Sequence, residues 1–504
     1  MISKDIPRAT YAVTLVLVLV AWASAARADV TLSDNWTASA WATYRVVAVG
    51  MTDIPVDEAG TQLGENGWLE QRVRLMTRFM WRDGKVRIEV GGDALSGLVA
   101  GDEPVIGVQY AREPRNAVNA HRYFEPRRAM VALQTTFGEF RLGHQVNNWG
   151  YGILSNSGER DDEIDFGNQR LGDMVERAMF ATQPLPNFFV AAGADLVYRD
   201  VNASLLDEDI AVNLVGALFY RSQRTFVGFF GTFRNQWDRD DDRLQIGAFD
   251  LHARRRGRLA SGRLKYDVGF EGVLLVGSTT RVRVEPQLEA ARVLAGLAMA
   301  RARLFHVASR LGLTLEVGFA SGDNDRNDDT VRHATFHPDY RVGMILFPEL
   351  MAGLTARSAD RLANPDHVQR APQGARWVPS RGGVQNAVYI WPRVSISPVA
   401  GLALRFGVLY ARAVADVADP YWSNTLSGGS NRSFFGGSAS QRDLGVELQG
   451  GASYKLTLTR TLSLAFALEW AHLFPGSAFD DANARGLADI DRVTGRALLS
   501  WRYR

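Results

Sequence analysis

Residues 441–476 read QRDLGVELQGGASYKLTLTRTLSLAFALEWAHLFPG. Leu444, Val446 and Leu448 fall on one side of an extended chain, and Asp443, Gly445, Glu447 and Gln449 on the other. After a turn near Thr457–Thr461, the residues Leu462, Leu464, Phe466, Leu468 and Trp470 repeat the alternation. Period two means a strand with one apolar and one polar or small face. Two such runs joined by a tight turn make a β-hairpin. Each arm is longer than the usual soluble strand of about five or six residues. Each also reaches the roughly ten residues that a tilted strand needs to cross a bilayer. The stretch therefore predicts a transmembrane hairpin, repeated around a closed barrel.

The same unit recurs outward from it. In Trp68–Trp81, the residues Leu69, Val73, Leu75, Phe79 and Trp81 share one face, and Glu70, Arg72, Arg74 and Arg78 the other. Asp83-Gly84 is a two-residue turn signal, and Lys85–Ala94 returns with Val86, Ile88 and Val90 opposite Arg87, Glu89 and Asp93. Further candidates are Trp36–Val49, Pro126–Thr136, Glu139–Asn147, Asp173–Gln183, Asn187–Tyr198, Asp209–Arg221, Thr225–Gln236 and Arg243–Arg255. They continue at Gly262–Gly277, Pro286–Ala302, Leu311–Ala320, Val384–Ile396, Gly401–Ala415, Gln441–Leu456, Leu462–Phe474 and Ile490–Tyr503. The Ala- and Leu-rich middle of Pro286–Ala302 is also compatible with a helix. The expected fold is all-β: a transmembrane antiparallel up-and-down barrel of about 18 strands, give or take about two.

The connections point the same way. Met51–Gly67, Leu95–Glu125, Asn148–Gly172, Ser321–Gly383 and Asp416–Ser440 are long, and the gaps between them in strand order are short. Barrels of this class have short periplasmic turns and long extracellular loops, so the long connections are expected outside. The longest, 321–383, has room for a short helix near Pro348–Leu362, and for plugging the lumen. No boundary divides the chain, so residues 29–504 read as one barrel domain with loops.

The chain has 504 residues, a formal net charge of +2 and no Cys. Such a balance gives no reason to expect nucleic acid as a partner, and the lack of Cys excludes a disulfide framework. Residues 1–28 read as a secretory signal peptide: Lys4 and Arg8, then the apolar run Tyr11–Ala23, then Ala26-Arg27-Ala28. With no later apolar run long enough to span as a helix, export to a bacterial outer membrane is expected, with its lipid as partner.

Several blocks carry a resemblance. L-G-V-E-L (444–448) with F-P-G-S-A-F (474–479), and V-G-F-A-S-G-D-N-D (317–325), resemble the alginate-export type of outer-membrane barrel. N-W-G-Y-G-I-L-S-N-S-G (148–158), D-F-G-N (165–168), F-H-P-D-Y-R-V-G-M-I-L-F (336–347) and G-G-V-Q-N-A-V-Y (382–389) resemble an uncharacterised myxobacterial family of outer-membrane barrels. The resemblance implies an outer-membrane channel, with passage or export of an anionic polysaccharide or other anionic solute, and periplasmic partners for export. The competing expectation is a non-conducting barrel that serves as a structural or surface-binding platform.

Polar faces of strands point into a barrel's lumen. The candidate channel-lining residues are Arg72, Arg74, Arg78, Arg87, Arg141, Glu316, Arg405, Glu447, Glu469 and Arg496. A row of Arg72, Arg74, Arg78 and Arg87 favours anions. The alternative is structural pairing of lumen arginines with Glu70, Glu89, Asp267, Glu271, Glu316, Glu447 and Glu469. Asp323, Asp325, Asn327 and Asp329 place oxygens at alternate positions, as a calcium loop does. The run lacks that loop's Gly and closing Glu: Asp328 and Ala334 stand there. No other cofactor is expected. Eight His occur without H-E-x-x-H spacing, and no G-x-S-x-G is present, so no enzyme constellation stands out.

Overall fold

Strands bury their alternate residues on one side throughout the chain. In the computed structural model, Val227, Phe229 and Phe233 are exposed while Gly228, Phe230 and Arg234, each the next residue along, are buried. The structure describes residues 30–33, 35–103, 122–160, 165–169, 172–239, 241–259, 262–281, 290–324, 328–363, 379–428 and 430–503. The expected signal peptide therefore lies outside the described residues.

A short strand β1 (Val30–Ser33) folds back on β2 (Trp36–Met51). There follow β3 (Gly67–Trp81), β4 (Val86–Gly101), β5 (Arg122–Gln134), β6 (Glu139–Asn147), β7 (Asp173–Leu185) and β8 (Phe188–Arg199). Next are β9 (Ile210–Arg221), β10 (Thr225–Trp237), β11 (Arg243–Leu259), β12 (Leu264–Thr279), β13 (Ala291–His306) and β14 (Leu311–Ala320). After the two-residue β15 (Thr330–Val331) come β16 (Ala387–Ile396), β17 (Leu402–Ala413), β18 (Asp443–Thr457), β19 (Leu462–Pro475) and β20 (Ile490–Tyr503). Consecutive strands pair antiparallel, β14 pairs with β16, and β2 pairs with β20 from Ala40–Tyr503 to Met51–Arg492. The result is a closed antiparallel barrel of 18 strands, with β1 and β15 as additions.

The strand expectations hold, with the largest differences at strand ends. β11 runs on past Arg255 to Leu259, and β13 is a strand throughout its described length. The Asp83-Gly84 turn is tight, with Arg82, Asp83 and Gly84 all at positive φ (46°, 55° and 94°). Glycine alone reaches such values without steric cost.

The outward stripe is apolar: Leu142, Leu214, Leu294, Phe406 and Leu468 are each at least half exposed. In water such a continuous surface would be an association hazard; around a barrel it is the face that meets lipid. No helix among the described residues is long and apolar enough to cross a membrane.

The longest connection, for which the sequence leaves room to plug the lumen, folds inward. The segment 334–363 is buried almost throughout, and forms a π-helical turn at Leu346–Met351 that continues as helix α1 (Ala352–Ala363). Ile345, Leu346, Phe347 and Leu350 share one apolar cluster with Val47 of β2, Leu297 of β13, Tyr389 and Trp391 of β16 and Leu409 of β17. These wall residues surround the lumen, so the segment packs within it. The physical reason is composition: V-G-M-I-L-F-P-E-L-M buries its apolar side chains only where they meet the inner wall.

Candidate functional site: the lumen and its inward-folded segments

Mid-strand glutamates on the inner wall hold the inward segments. Glu447 of β18 is fully buried and accepts the backbone N–H groups of Met344 (2.6 Å), Ile345 (3.1 Å) and Leu346 (2.9 Å). These are the donors that a helical segment leaves unpaired at its start, where negative charge is also favoured. Arg492 of β20 secures the same turn, donating to the Met344 carbonyl at 2.7 Å and pairing with Glu349 at 2.5 Å. Glu316 of β14 accepts the hydroxyls of Tyr340 and Tyr389, each at 2.9 Å, and a guanidinium N–H of Arg393 at 2.6 Å. At the far end, Arg357 pairs with Asp57 (2.8 Å) and Arg361 with Glu58 (2.7 Å) in the connection between β2 and β3.

Two further segments enter. In 148–158, Glu271 of β12 accepts the N–H groups of Tyr151 and, at 3.1 Å, Ile153. The Trp149 ring stacks on Phe230, and the Tyr151 ring lies beneath the Arg301 guanidinium at 4.3 Å. Gly269 makes room for Tyr151, since a Cβ there would lie 2.1 Å from its hydroxyl oxygen. In 165–169, the Gly167 N–H donates to Glu469 at 3.0 Å, and Arg496 bonds both Glu469 (3.0 Å) and the Gly167 carbonyl. The segments also touch each other: the His337 N–H donates to the Ile153 carbonyl at 2.7 Å, and Gln169 to the Asp339 carbonyl at 3.0 Å.

His337 joins this assembly to the wall through Asp173, at 3.0 Å. Burial works against charge on its imidazole, but the adjacent Asp173 carboxylate outweighs this and holds His337 above its ordinary value. In the connection between β17 and β18, burial pushes Asp419 up to about 6, although it accepts bonds from the Ser358 hydroxyl and the Tyr421 N–H.

The predicted lining residues fall on the inner face, and most are paired. Arg74 holds Asp93 with two bonds, 2.6 and 2.8 Å. Arg78 pairs with Glu89 at 2.8 Å, and Arg87 and Arg141 share Glu139. Arg72 is buried close to the same Asp93. Asp267 pairs with Arg254. The row of Arg72, Arg74, Arg78 and Arg87 is thus a mixed-charge network rather than bare positive charge. Two of the proposed pairing carboxylates, Glu271 and Glu447, serve the backbone of inward segments instead. Arg405 differs from the row: no carboxylate among the described residues lies within ion-pair distance, its guanidinium reaches the Ser453 hydroxyl at 3.4 Å, and Asp165 is the carboxylate that feels its charge.

Of the expected calcium loop, Asp325 and Asn327 lie outside the described residues. Asp323 accepts the Arg332 N–H at 3.0 Å, and Asp329 pairs with Arg292 at 2.8 Å. No cluster of metal-ligating side chains occurs among the described residues. Sequence reasoning missed Arg393, Arg492 and Arg127 as parts of the inner network. The parity that selected Arg72 also selects Arg393 and Arg492, whereas Arg127 is buried at a bulge, Val131 and Leu133 of its own parity facing out.

No family model and no curated protein matches the sequence. Solved structures that align with it include Pseudomonas aeruginosa OccK11 (OpdR), with a TM-score of 0.49, 11% identity, and coverage of 92% of this chain and 96% of that one. Acinetobacter baumannii OccAB1 gives the same values. Pseudomonas aeruginosa OccK2 (OpdF) in complex with glucuronate gives 0.48, 12%, 92% and 98%. No residue of this chain takes a role from these likenesses.

Proposed function

We propose that the protein is an outer-membrane channel for small polar solutes, with a lumen narrowed by its own folded connections. The observation that carries this reading is the polar seating of segment 334–363 on Glu316, Glu447 and Arg492 of the inner wall. An 18-strand barrel is wide enough to leave an aqueous channel, and the inward segments restrict what passes. A restriction of this kind favours small solutes over a polysaccharide chain. The apolar outer stripe supports placement in an outer membrane. Arg405, which has no ion-pair partner among the described residues, supports a modest preference for anions.

The same seating favours a second reading, a non-conducting barrel that acts as a platform. Liposome swelling separates the two. Proteoliposomes in a small sugar or amino acid are expected to swell faster than empty liposomes, and those in a large oligosaccharide are not. Swelling no faster than empty liposomes in every solute would support the platform. Recovery of the chain as a detergent-free soluble species would overturn both.

A further inference from the structure

Asp250 of β11 and Glu271 of β12 stand diagonally opposite each other on the inner wall, His252 being the register partner of Glu271. Both carboxyl groups are fully buried. Glu271 is well supplied with donors, because the Tyr151 and Ile153 N–H groups point at it and Arg160 faces it. Asp250 is not: neither oxygen meets a donor at hydrogen-bonding geometry among the described residues. What faces Asp250 is the Glu271 carboxyl and the indole edge of Trp149. Two buried carboxyl groups facing each other hold together through a shared proton, since two adjacent negative charges repel.

The pair lies at the seat of segment 148–158. The Trp149 ring fills a slot above Gly228, where a Cβ would lie 2.9 Å from it and 2.7 Å from the Cβ of Phe219. Tyr151 stands edge-on to His252, ring centroids 4.8 Å apart, under Arg301. The charged and titratable groups facing the cluster are His252 and Arg254 from β11, Asp267 from β12, Arg301 from β13, and Arg160 beside the segment itself. The His252 Nδ1 lies 3.8 Å from Glu271, beyond a hydrogen bond.

We propose that residues 148–158 are a movable gate of the lumen, latched shut by one proton held between Asp250 and Glu271. Glu271 is the ionised partner that grips the gate's backbone, and Asp250 donates its O–H to it. Loss of that proton leaves two facing carboxylates under Trp149 and Tyr151, and the gate leaves its seat. The inference rests on the channel reading for its purpose but not for its test.

The chain has no Cys, so a single introduced thiol reports the gate's position without any conductance. Ser155→Cys places the thiol on the buried side of the gate, and Leu206→Cys provides an exposed reference at a position 71% exposed. Labelling by a charged maleimide is measured against pH for each, in detergent-solubilised barrel. The ratio of the two rates cancels the ordinary rise in thiol reactivity. It is expected to climb by up to about tenfold per pH unit from the ordinary carboxylate range upward, and to level off once the closed pair has lost its proton, as one linked proton requires. Adding Asp250→Asn, which keeps a neutral donor beside Glu271, is expected to flatten the ratio. A ratio independent of pH in the Ser155→Cys chain, or an equal climb with Asp250→Asn present, would overturn the proposal. Absence of solute flux with a climbing ratio would leave the latch standing and count against the channel.

Discussion

The carboxylate of Glu447, on the inner wall of β18, accepts the N–H of Leu346 at 2.9 Å, where the lumen's helical segment begins. The two residues are about a hundred positions apart in the chain, yet this bond fixes where the segment sits. A carboxylate at a helix start, with more than one N–H to accept, is worth on the order of 1–2 kcal/mol.

Glu447→Ala is therefore expected to loosen the segment without opening the barrel. It leaves the donors of Met344, Ile345 and Leu346 buried and unpaired, at about 1–3 kcal/mol for each group. Limited proteolysis should cut within residues 334–363 faster than in the native chain, while heat-modified gel mobility still reports a closed barrel. Equal cleavage rates would show that the apolar contacts alone seat the segment.

The contact between His337 and Asp173 makes this seating depend on pH. His337 sits above its ordinary value because of Asp173. A raised histidine contributes stability that is fully present below its unfolded value of about 6.5 and is lost as pH rises through the folded value. Cleavage within 334–363 is expected to accelerate as pH rises above neutrality, and His337→Gln is expected to remove that acceleration. A pH response unchanged in His337→Gln would assign it to another group.

Arg74 and Asp93 form a buried two-pronged pair inside a wider network, in which Asp93 also faces Arg72 and, at 3.8 Å, Arg127. Arg74→Ala is expected to cost about 3–5 kcal/mol, and Arg74→Ala with Asp93→Ala less than the two single losses added together. Urea unfolding of the single and double variants in detergent measures the difference. Losses that simply add would mean that the pair is not coupled.

Ion preference is expected to follow Arg405 rather than the paired row on β3 and β4. Arg405→Glu should shift the reversal potential in a salt gradient toward cations, whereas Arg78→Gln with Glu89→Gln should leave it near the native value. The opposite ranking would return selectivity to the row.

The barrel was legible because period two is local: Leu462 to Trp470 declares a strand without reference to any other part of the chain. The same parity placed Arg72 and Glu447 on the inner face. It says nothing about partners, because pairing is set between strands. Asp93, which neutralises Arg74, belongs to the next strand, as its direct register partner. The inward fold of residues 334–363 was harder to read, since its holding groups, Glu316, Glu447 and Arg492, come from three distant strands. One signal was available: V-G-M-I-L-F-P-E-L-M is too apolar for a connection in water. The glutamates set mid-strand among small residues were a second, because a buried carboxylate needs donors, and backbone N–H groups of a segment inside the barrel supply them.

Single-channel conductance in planar bilayers tests the central claim most directly, comparing the native chain with one in which residues 334–363 are replaced by a short Gly-Ser linker. A narrowed channel predicts small, resolvable openings for the native chain and a clearly larger conductance for the replacement. No conductance from either chain, or the same conductance from both, would contradict a lumen narrowed by its own folded segment.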